Sequence, residues 1–368
     1  MGVFIIAEAG VNHNGNLDTA YRLVDAAVAA GADAVKFQTF KAENLVTAQA
    51  GKAAYQKITT DADENQLAML KRLELKYELH FQLLAYCRQL GIEFLSTAFD
   101  FESLNFLVRE LGVERLKIPS GEITNGPFLL AHAQTGKPVI LSTGMATLGE
   151  VETALGVLAF GYVTTVMENG RAVTDTAPPS LCAFQQAYGS EQGQAALQEK
   201  VTLLHCTSEY PTPMENINLQ AMDVLQQCFG LPIGYSDHSV GLVVPIAAVA
   251  RGATVIEKHF TLDRSQQGPD HKVSLEPDEL KAMVRGIRDV EKALGRQLKY
   301  PQSLELDNQQ VVRKSLVAGR PIAAGERFTE ANVAIKRPGT GKSPMSYWSL
   351  LGTLSTRNYD TDETLNND

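Results

Sequence analysis

A (β/α)8 barrel followed by a small β-rich module is the fold class this sequence predicts, on three observations. Eight strand-like runs alternate with helix-period segments over roughly the first 260 of the 368 residues. Polar, chemistry-bearing side chains gather where those runs end, the rim at which parallel barrels handle ligands. After one long amphipathic segment from Glu276 the chain changes to short β-rich pieces punctuated by Gly and Pro, too few for more than a small core. An open doubly wound sheet is the nearest alternative. It needs a glycine fingerprint after the first strand, and the EAGVNHNG that stands there is no G-x-G-x-x-G.

In chain order, Val3 to Ala7 is continuously apolar, the pattern of a strand buried on both faces, and it runs into a loop crowded with Glu8, Asn12, His13 and Asn14. A helix starting at Asp18 or Thr19 carries Ala20, Leu23, Val24, Ala27 and Val28 at spacings of three and four and ends at Gly31. ADAVKFQT is the second strand. Alternation sets Lys36 and Gln38 opposite Val35 and Phe37, where a lysine is costly to bury without an anion; the competing reading is a lysine snorkelling at a strand end. Residues 40 to about 75 form a charged, helical excursion too long for an ordinary βα loop and are expected to cover the site.

GIEFLSTAF, ending in Ser96 and Thr97, is the third strand, and Asp100 caps the helix after it. VERLKIPSGE supplies Lys117, Ser120 and Glu122; KPVILSTGM supplies Ser142, Thr143 and Gly144, with Thr147 and Glu150 as a capping box. Tyr162 to Lys200 reads as an irregular connection outside the barrel wall. VTLLHCTSEYP, LPIGYSD and ATVIEKHF are the last three strands. The final two, joined by an apolar helix from about Gly241 to Ala250, form a βαβ unit that brings His238 and His259 to one rim. The expected domains are a barrel over 1–295, a linker over 296–308, and a module over 309–368 with an acidic, frayed tail.

Composition narrows the function classes. A formal net charge of −9 leaves no basic stripe for a phosphate backbone, so no nucleic-acid partner is expected, although one pocket can be locally basic. Cys87, Cys182, Cys206 and Cys228 have no C-x-x-C spacing and read as free, mostly buried thiols of a reducing compartment. There is no apolar run of membrane-spanning length and no secretory leader pattern at the start, so a soluble, cytoplasmic protein without a membrane partner is expected.

The strand ends carry the chemistry. Two imidazoles, His238 and His259, with water and substrate oxygens suit a divalent metal of the manganese type; zinc usually recruits a third strong protein ligand. Lys36, Lys117 and Lys258, with the hydroxyls of Thr97, Ser120, Ser142 and Ser236, outline an anion pocket. Any one of these serines is unremarkable; their concentration at strand ends points to a phosphate-bearing substrate.

The stretches EAGVNHNG, ADAVKFQT, LKIPSGE, LSTGMATLGE, HCTSEYPTP, GYSDHS, EKHFT with GPDH behind it, and KRPGTG resemble those of the sialic acid synthases, over residues 3 to about 359. This family comprises the N-acetylneuraminate, legionaminate and pseudaminate synthases. The resemblance implies a (β/α)8 barrel followed by an antifreeze-like SAF domain, in a domain-swapped homodimer. It implies condensation of phosphoenolpyruvate with the open-chain aldehyde of an N-acylated amino sugar, releasing phosphate, with Mn2+ or Mg2+. It further implies that His238 and His259 hold the metal, and that Lys36, Thr97, Lys117, Ser120, Ser142, Ser208 and Ser236 bind phosphoenolpyruvate. Glu8, Gln38, Tyr210 and Asp270 would contact the sugar, Glu122 would orient the water, and Arg337 would reach into the partner's site and hold the N-acyl group; apart from the resemblance, the strand-end position of Glu122 places it to take that water's proton. The sugar expected is N-acetylmannosamine, giving N-acetylneuraminate; the alternative is 2,4-diacetamido-2,4,6-trideoxymannose, giving N,N'-diacetyllegionaminate. Ser208, where sialic-acid-forming members often carry asparagine, counts towards the alternative. A metal-dependent aldolase shares the barrel and histidines but has less use for the basic strand ends, and a sugar- or ice-binding protein leaves the polar rim unexplained.

Overall fold

Eight parallel strands close into a barrel in chain order: β1 (Phe4–Gly10), β2 (Ala34–Thr39), β3 (Glu93–Ala98), β4 (Leu116–Ile118), β5 (Val139–Ser142), β6 (Val201–His205), β7 (Ile233–Asp237) and β8 (Val255–His259), which pairs back with β1. The computed structural model describes residues 2–61, 64–168, 171–174 and 178–366. They fall into two units, Met1–Gly295 and Arg296–Asp368.

Strand alternation explains both faces of the barrel wall. Outward-facing Ile5, Ala7, Val35, Phe37, Leu141 and Leu203 join the principal core beneath the helices. Inward-facing Ile6, Ala34, Leu95, Ile140, Leu204 and Val255 form a separate buried cluster, an apolar plug. With a side-chain period of two, the next residue on the inner face is two further on, and there stand Glu8, Lys36, Thr97, Ser142, Cys206 and Glu257. A polar layer therefore sits directly on the plug. Register aligns its members: Glu8 is level with Lys36 and with His259, Thr97 with Gln38 and with Lys117, and Ser236 with Glu257.

Local signals place most helices. The first, Leu17–Ala30, is capped by Asn16, whose side chain accepts from Thr19 N, and not by Asp18 or Thr19; Asn caps as well as Asp, and the earlier start lets Leu17 pack on the core. Asp100 and Thr147 act as N-caps, Thr147 within a capping box with Glu150. The excursion after β2 contains helices Ala42–Leu45, Ala54–Thr59 and Gln66–Leu73, and it buries Met69 and Leu73 with Phe40 and Val11 in a small core of their own.

Tyr162 to Lys200 is more ordered than its composition suggests. A hairpin of Thr165–Glu168 with Arg171–Thr174 is followed by helices Leu181–Gly189 and Glu191–Lys200, started by the caps Ser180 and Ser190. Residues 169–170 and 175–177 of this stretch lie outside the described residues. The thiols divide evenly, Cys87 and Cys206 buried, Cys182 and Cys228 exposed.

In the second unit, β9 (Ser315–Ala318) pairs antiparallel with β10 (Val333–Lys336) around a core that includes Leu316, Ile322, Phe328, Leu350 and Tyr359. Residues 303–308, read from sequence as linker, belong to a helix, Ser303–Val312. None of its residues is buried, so no apolar stripe betrays it. No helix among the described residues is long and apolar enough to cross a membrane.

Candidate active site

The polar layer floors a cavity of about 440 Å³ at the C-terminal ends of the strands. β1 and β2 contribute Glu8, Lys36 and Gln38; β3 and β4 contribute Thr97 and Lys117, with Ser120 and Glu122 in the turn after β4. Ser142 ends β5, Ser208 and Tyr210 follow β6, Ser236 lies in β7 with His238 directly after it, and His259 ends β8 with Asp270 in the loop behind it. Arg337 lies in the second unit, exposed, next after β10.

Four charges are buried together on the floor. Lys36 Nζ lies 2.7 Å from Glu8 and 3.6 Å from Glu257, and donates to Thr97 Oγ1 at 3.1 Å. Lys117 Nζ lies 3.6 Å from the other oxygen of Glu257, which also accepts from Ser236 Oγ at 2.9 Å. Burial pushes Glu8 up to about 7 despite Lys36. Burial pushes Glu257 up too, but flanking Lys117 and Lys36 outweigh it and hold the carboxyl at about 2. Lys36 is desolvated yet raised by its two carboxylates, whereas desolvation wins at Lys117 and lowers it. Two lysines and two carboxyl groups thus share the floor, Glu257 held between Lys36 and Lys117 and Glu8 set against Lys36 alone within 4.0 Å.

Ser142 Oγ and His259 Nδ1 are buried and without a hydrogen-bond partner among the described residues. Ser120 Oγ accepts from Gly144 N at 3.0 Å and lies 3.1 Å from Cys206 Sγ. Glu122 accepts from Asn125 Nδ2 at 2.7 Å, which fixes the carboxylate at the cavity edge. Asp270 is raised to about 6 by burial and lies 4.0 Å from His259 Nδ1. The pairing of β1 with β2 shifts register between Glu8 and Gly10; Gly10 has φ +52, and a Cβ there would stand 3.2 Å from Glu8 Oε1 and 3.3 Å from Gln38 Nε2.

The two histidines form the candidate metal position. Their ring centroids are 5.8 Å apart, and burial lowers both below the usual imidazole range, so both are neutral at physiological pH. His238 Nδ1 faces Thr207 O at 2.7 Å and must be the protonated nitrogen, which leaves the Nε2 lone pair to accept Tyr210 Oη at 3.0 Å. A neutral, carbonyl-oriented imidazole beside a second with a buried, unpartnered nitrogen fits a divalent cation. Among the described residues no group of three or more His, Cys, Asp or Glu side chains is arranged to hold a metal, so the remaining ligands would be water and substrate oxygens.

One lysine is not where the sequence reading put it. Lys258 is fully buried against Asp237 Oδ2 at 2.6 Å and Ser239 O, and does not line the cavity. Since Glu257 and His259 point inward, alternation turns Lys258 outward. The same parity identifies the missed residue: Glu257, two before His259, faces the site.

The NeuB family model matches residues 23–299 and the SAF domain model residues 313–366. The chain belongs to the NeuB family. This NeuB-family chain is 48% identical to the N,N'-diacetyllegionaminic acid synthase of Campylobacter jejuni over 98% of its own length and 97% of the relative's. It is 45% identical to the protein of that name from Legionella pneumophila, over 99% and 94%. Among solved structures, N-acetylneuraminic acid synthetase from Leptospira borgpetersenii, in complex with citrate, matches with a TM-score of 0.65 at 34% identity, over 84% of this chain and 90% of that one.

Proposed function

We propose that this chain condenses phosphoenolpyruvate with 2,4-diacetamido-2,4,6-trideoxymannose and water, giving N,N'-diacetyllegionaminate and phosphate. The observation that carries the reading is end-to-end identity of 48% and 45% to two diacetyllegionaminic acid synthases, against 34% to an N-acetylneuraminic acid synthetase. It reverses the sequence-based preference for N-acetylmannosamine and agrees with Ser208, the residue that had counted against it.

In this reading the cations of the floor receive the carboxylate and phosphate of phosphoenolpyruvate, and the unpartnered Ser142 hydroxyl supplies a further donor. C3 of phosphoenolpyruvate attacks the aldehyde carbon of the open-chain sugar. The new C–C bond leaves an electron-deficient C2, and the aldehyde oxygen takes up a proton. Water adds to C2 as Glu122 accepts its proton; the C2–O bond to phosphate then breaks, leaving a 2-keto acid whose open chain cyclises. His238 and His259 would hold Mn2+ or Mg2+, which when bound polarises the aldehyde. Lys36 and Lys117 stabilise the departing phosphate. Glu8, Gln38, Tyr210 and Asp270 hold the sugar. The reading also carries a cytoplasmic homodimer in which Arg337 of each chain serves its neighbour's barrel.

The test is a competition in which purified full-length protein, phosphoenolpyruvate and Mn2+ receive both sugars at equal concentration, with products resolved by mass. A tenfold or greater preference for the diacetamido sugar is expected, about 1.4 kcal/mol of transition-state discrimination. Preference for N-acetylmannosamine overturns the substrate. Unchanged turnover after chelation to negligible metal content overturns the metal.

A further inference from the structure

The cavity has two unlike sides. Its serine hydroxyls and Lys117 stand above β4 to β7, whereas Glu8, Lys36, Gln38, Thr97 and Asp270 stand above β1 to β3 and the end of β8. Over this second side lies a wall built by the excursion after β2. Among the described residues it gives the cavity Phe40, Leu45, Val46, Met69, Leu70 and Leu73, and only Gln56 and Gln66 as polar neighbours. Gln56 is turned to its own helix start, accepting from Ala53 N at 3.0 Å. The wall is rigid where it meets the barrel, because Met69, Leu73, Phe40 and Val11 are buried together and Phe99 packs edge-on to Phe40.

We propose that this apolar wall is the specificity surface for the deoxy end of the sugar, receiving its C6 methyl group. The inference rests on the function proposed above and adds the residues that select the substrate. The floor fixes the reacting end: phosphoenolpyruvate occupies the serine-rich side with Lys117, reached by Lys36 from β2, and the aldehyde carbon lies beside His238 and His259. The remainder of the sugar then extends over β1 to β3, under the wall. A methyl group there buries apolar surface, whereas a C6 hydroxyl is desolvated opposite Leu45, Val46 and Leu70 with no acceptor or donor among them.

The experiment compares two sugars that differ by one oxygen, 2,4-diacetamido-2,4,6-trideoxymannose and 2,4-diacetamido-2,4-dideoxymannose, competing in one tube with phosphoenolpyruvate and Mn2+. The product ratio is independent of how much enzyme is correctly folded, so a partly misfolded variant is still informative. Wild type is expected to favour the 6-deoxy sugar by about tenfold or more. Val46→Thr, which adds a hydroxyl at nearly constant volume, and Leu70→Asn are each expected to reduce that ratio at least about threefold. A wild-type ratio below about fivefold, or a ratio that neither variant moves, overturns the proposal. N-acetylmannosamine is included as a third competitor to separate the two failures. If it outruns both diacetamido sugars, the function itself falls; if both outrun it equally, only the wall does.

Discussion

Glu257→Gln removes one charge and almost no volume from the cavity floor. Glu257 lies 3.6 Å from Lys36 and 3.6 Å from Lys117. At an effective dielectric of about 20 each contact has a gross Coulomb energy of about 5 kcal/mol, partly offset by desolvation of the carboxylate. The two lysines are not equally exposed to its loss. Lys36 keeps Glu8 at 2.7 Å, whereas Lys117 keeps no carboxylate within 4.0 Å among the described residues, only Ile118 O at 3.4 Å. Breaking a buried pair on one side costs about 3–5 kcal/mol, and that is the expected loss of barrel stability. Removing an anion from a pocket for anions should at the same time lower KM for phosphoenolpyruvate, and phosphate should stabilise the variant more than wild type. Thermal unfolding with and without saturating phosphate, together with steady-state kinetics, reads both effects. A Tm within about 1 °C of wild type, or equal stabilisation of both proteins by phosphate, would refute the charge balance described for the floor.

Three further outcomes are expected. In Gly144→Ala the new Cβ would stand 2.4 Å from Ser208 Oγ and 2.7 Å from Ser120 Oγ. It should raise KM for phosphoenolpyruvate about tenfold or more with little change in Tm, because the clash is with cavity hydroxyls; an unchanged KM contradicts their role in binding. His132 is buried, its Nδ1–H on Phe128 O at 2.8 Å, and burial holds it down at about 4. Its folded value lies below the unfolded one, so its stabilising contribution is full above pH 6.5 and is lost as pH falls towards 4. The stability advantage of wild type over His132→Gln should shrink by about 3 kcal/mol over that window in urea unfolding, and a constant difference refutes the assignment. Finally, Arg337→Ala and His238→Ala chains, each inactive alone, should regain activity on subunit exchange if Arg337 serves the neighbouring barrel; confirmed exchange without recovery excludes that arrangement.

The fold was legible because strand alternation and helix caps are local. Eight apolar runs ending in polar residues are enough to locate the rim, and Thr147, Asp100 and Gly31 punctuate the helices where side-chain chemistry requires. The helix Ser303–Val312 was not legible, since a helix that buries nothing has no periodicity to show. Lys258 was expected in the pocket, and Glu257 was not, for a different reason. A strand end supplies residues to both faces, and listing its polar members without applying the period of two admits the outward one. His259 fixes the phase: once it faces the cavity, Glu257 must, and Lys258 cannot.

Substrate choice was hidden for a deeper reason. The groups that act on an aldehyde, a carboxylate and a phosphate are polar, and polar residues at strand ends stand out in a sequence because burying them needs justification. A surface that selects a methyl group must itself be apolar. Leu45, Val46 and Leu70 sit in short helices or beside them, where apolar residues at helical spacing are indistinguishable from packing residues. Only their place in the cavity lining, beside a small core that Val11, Phe40 and Phe99 anchor just past β1, β2 and β3, separates their proposed role from that of Met69 and Leu73, which are buried in that core. The reaction therefore belongs to the barrel strands, whose geometry is fixed by register. On the proposal made above, substrate identity belongs instead to the segment inserted after β2, which carries none of the strand-end polar residues. Exchanging residues 40–75 for the corresponding segment of a neuraminate-forming relative should transfer the preference at C6 while leaving the KM for phosphoenolpyruvate at its original value; a chimera that keeps the 6-deoxy preference would place the selection on the barrel instead.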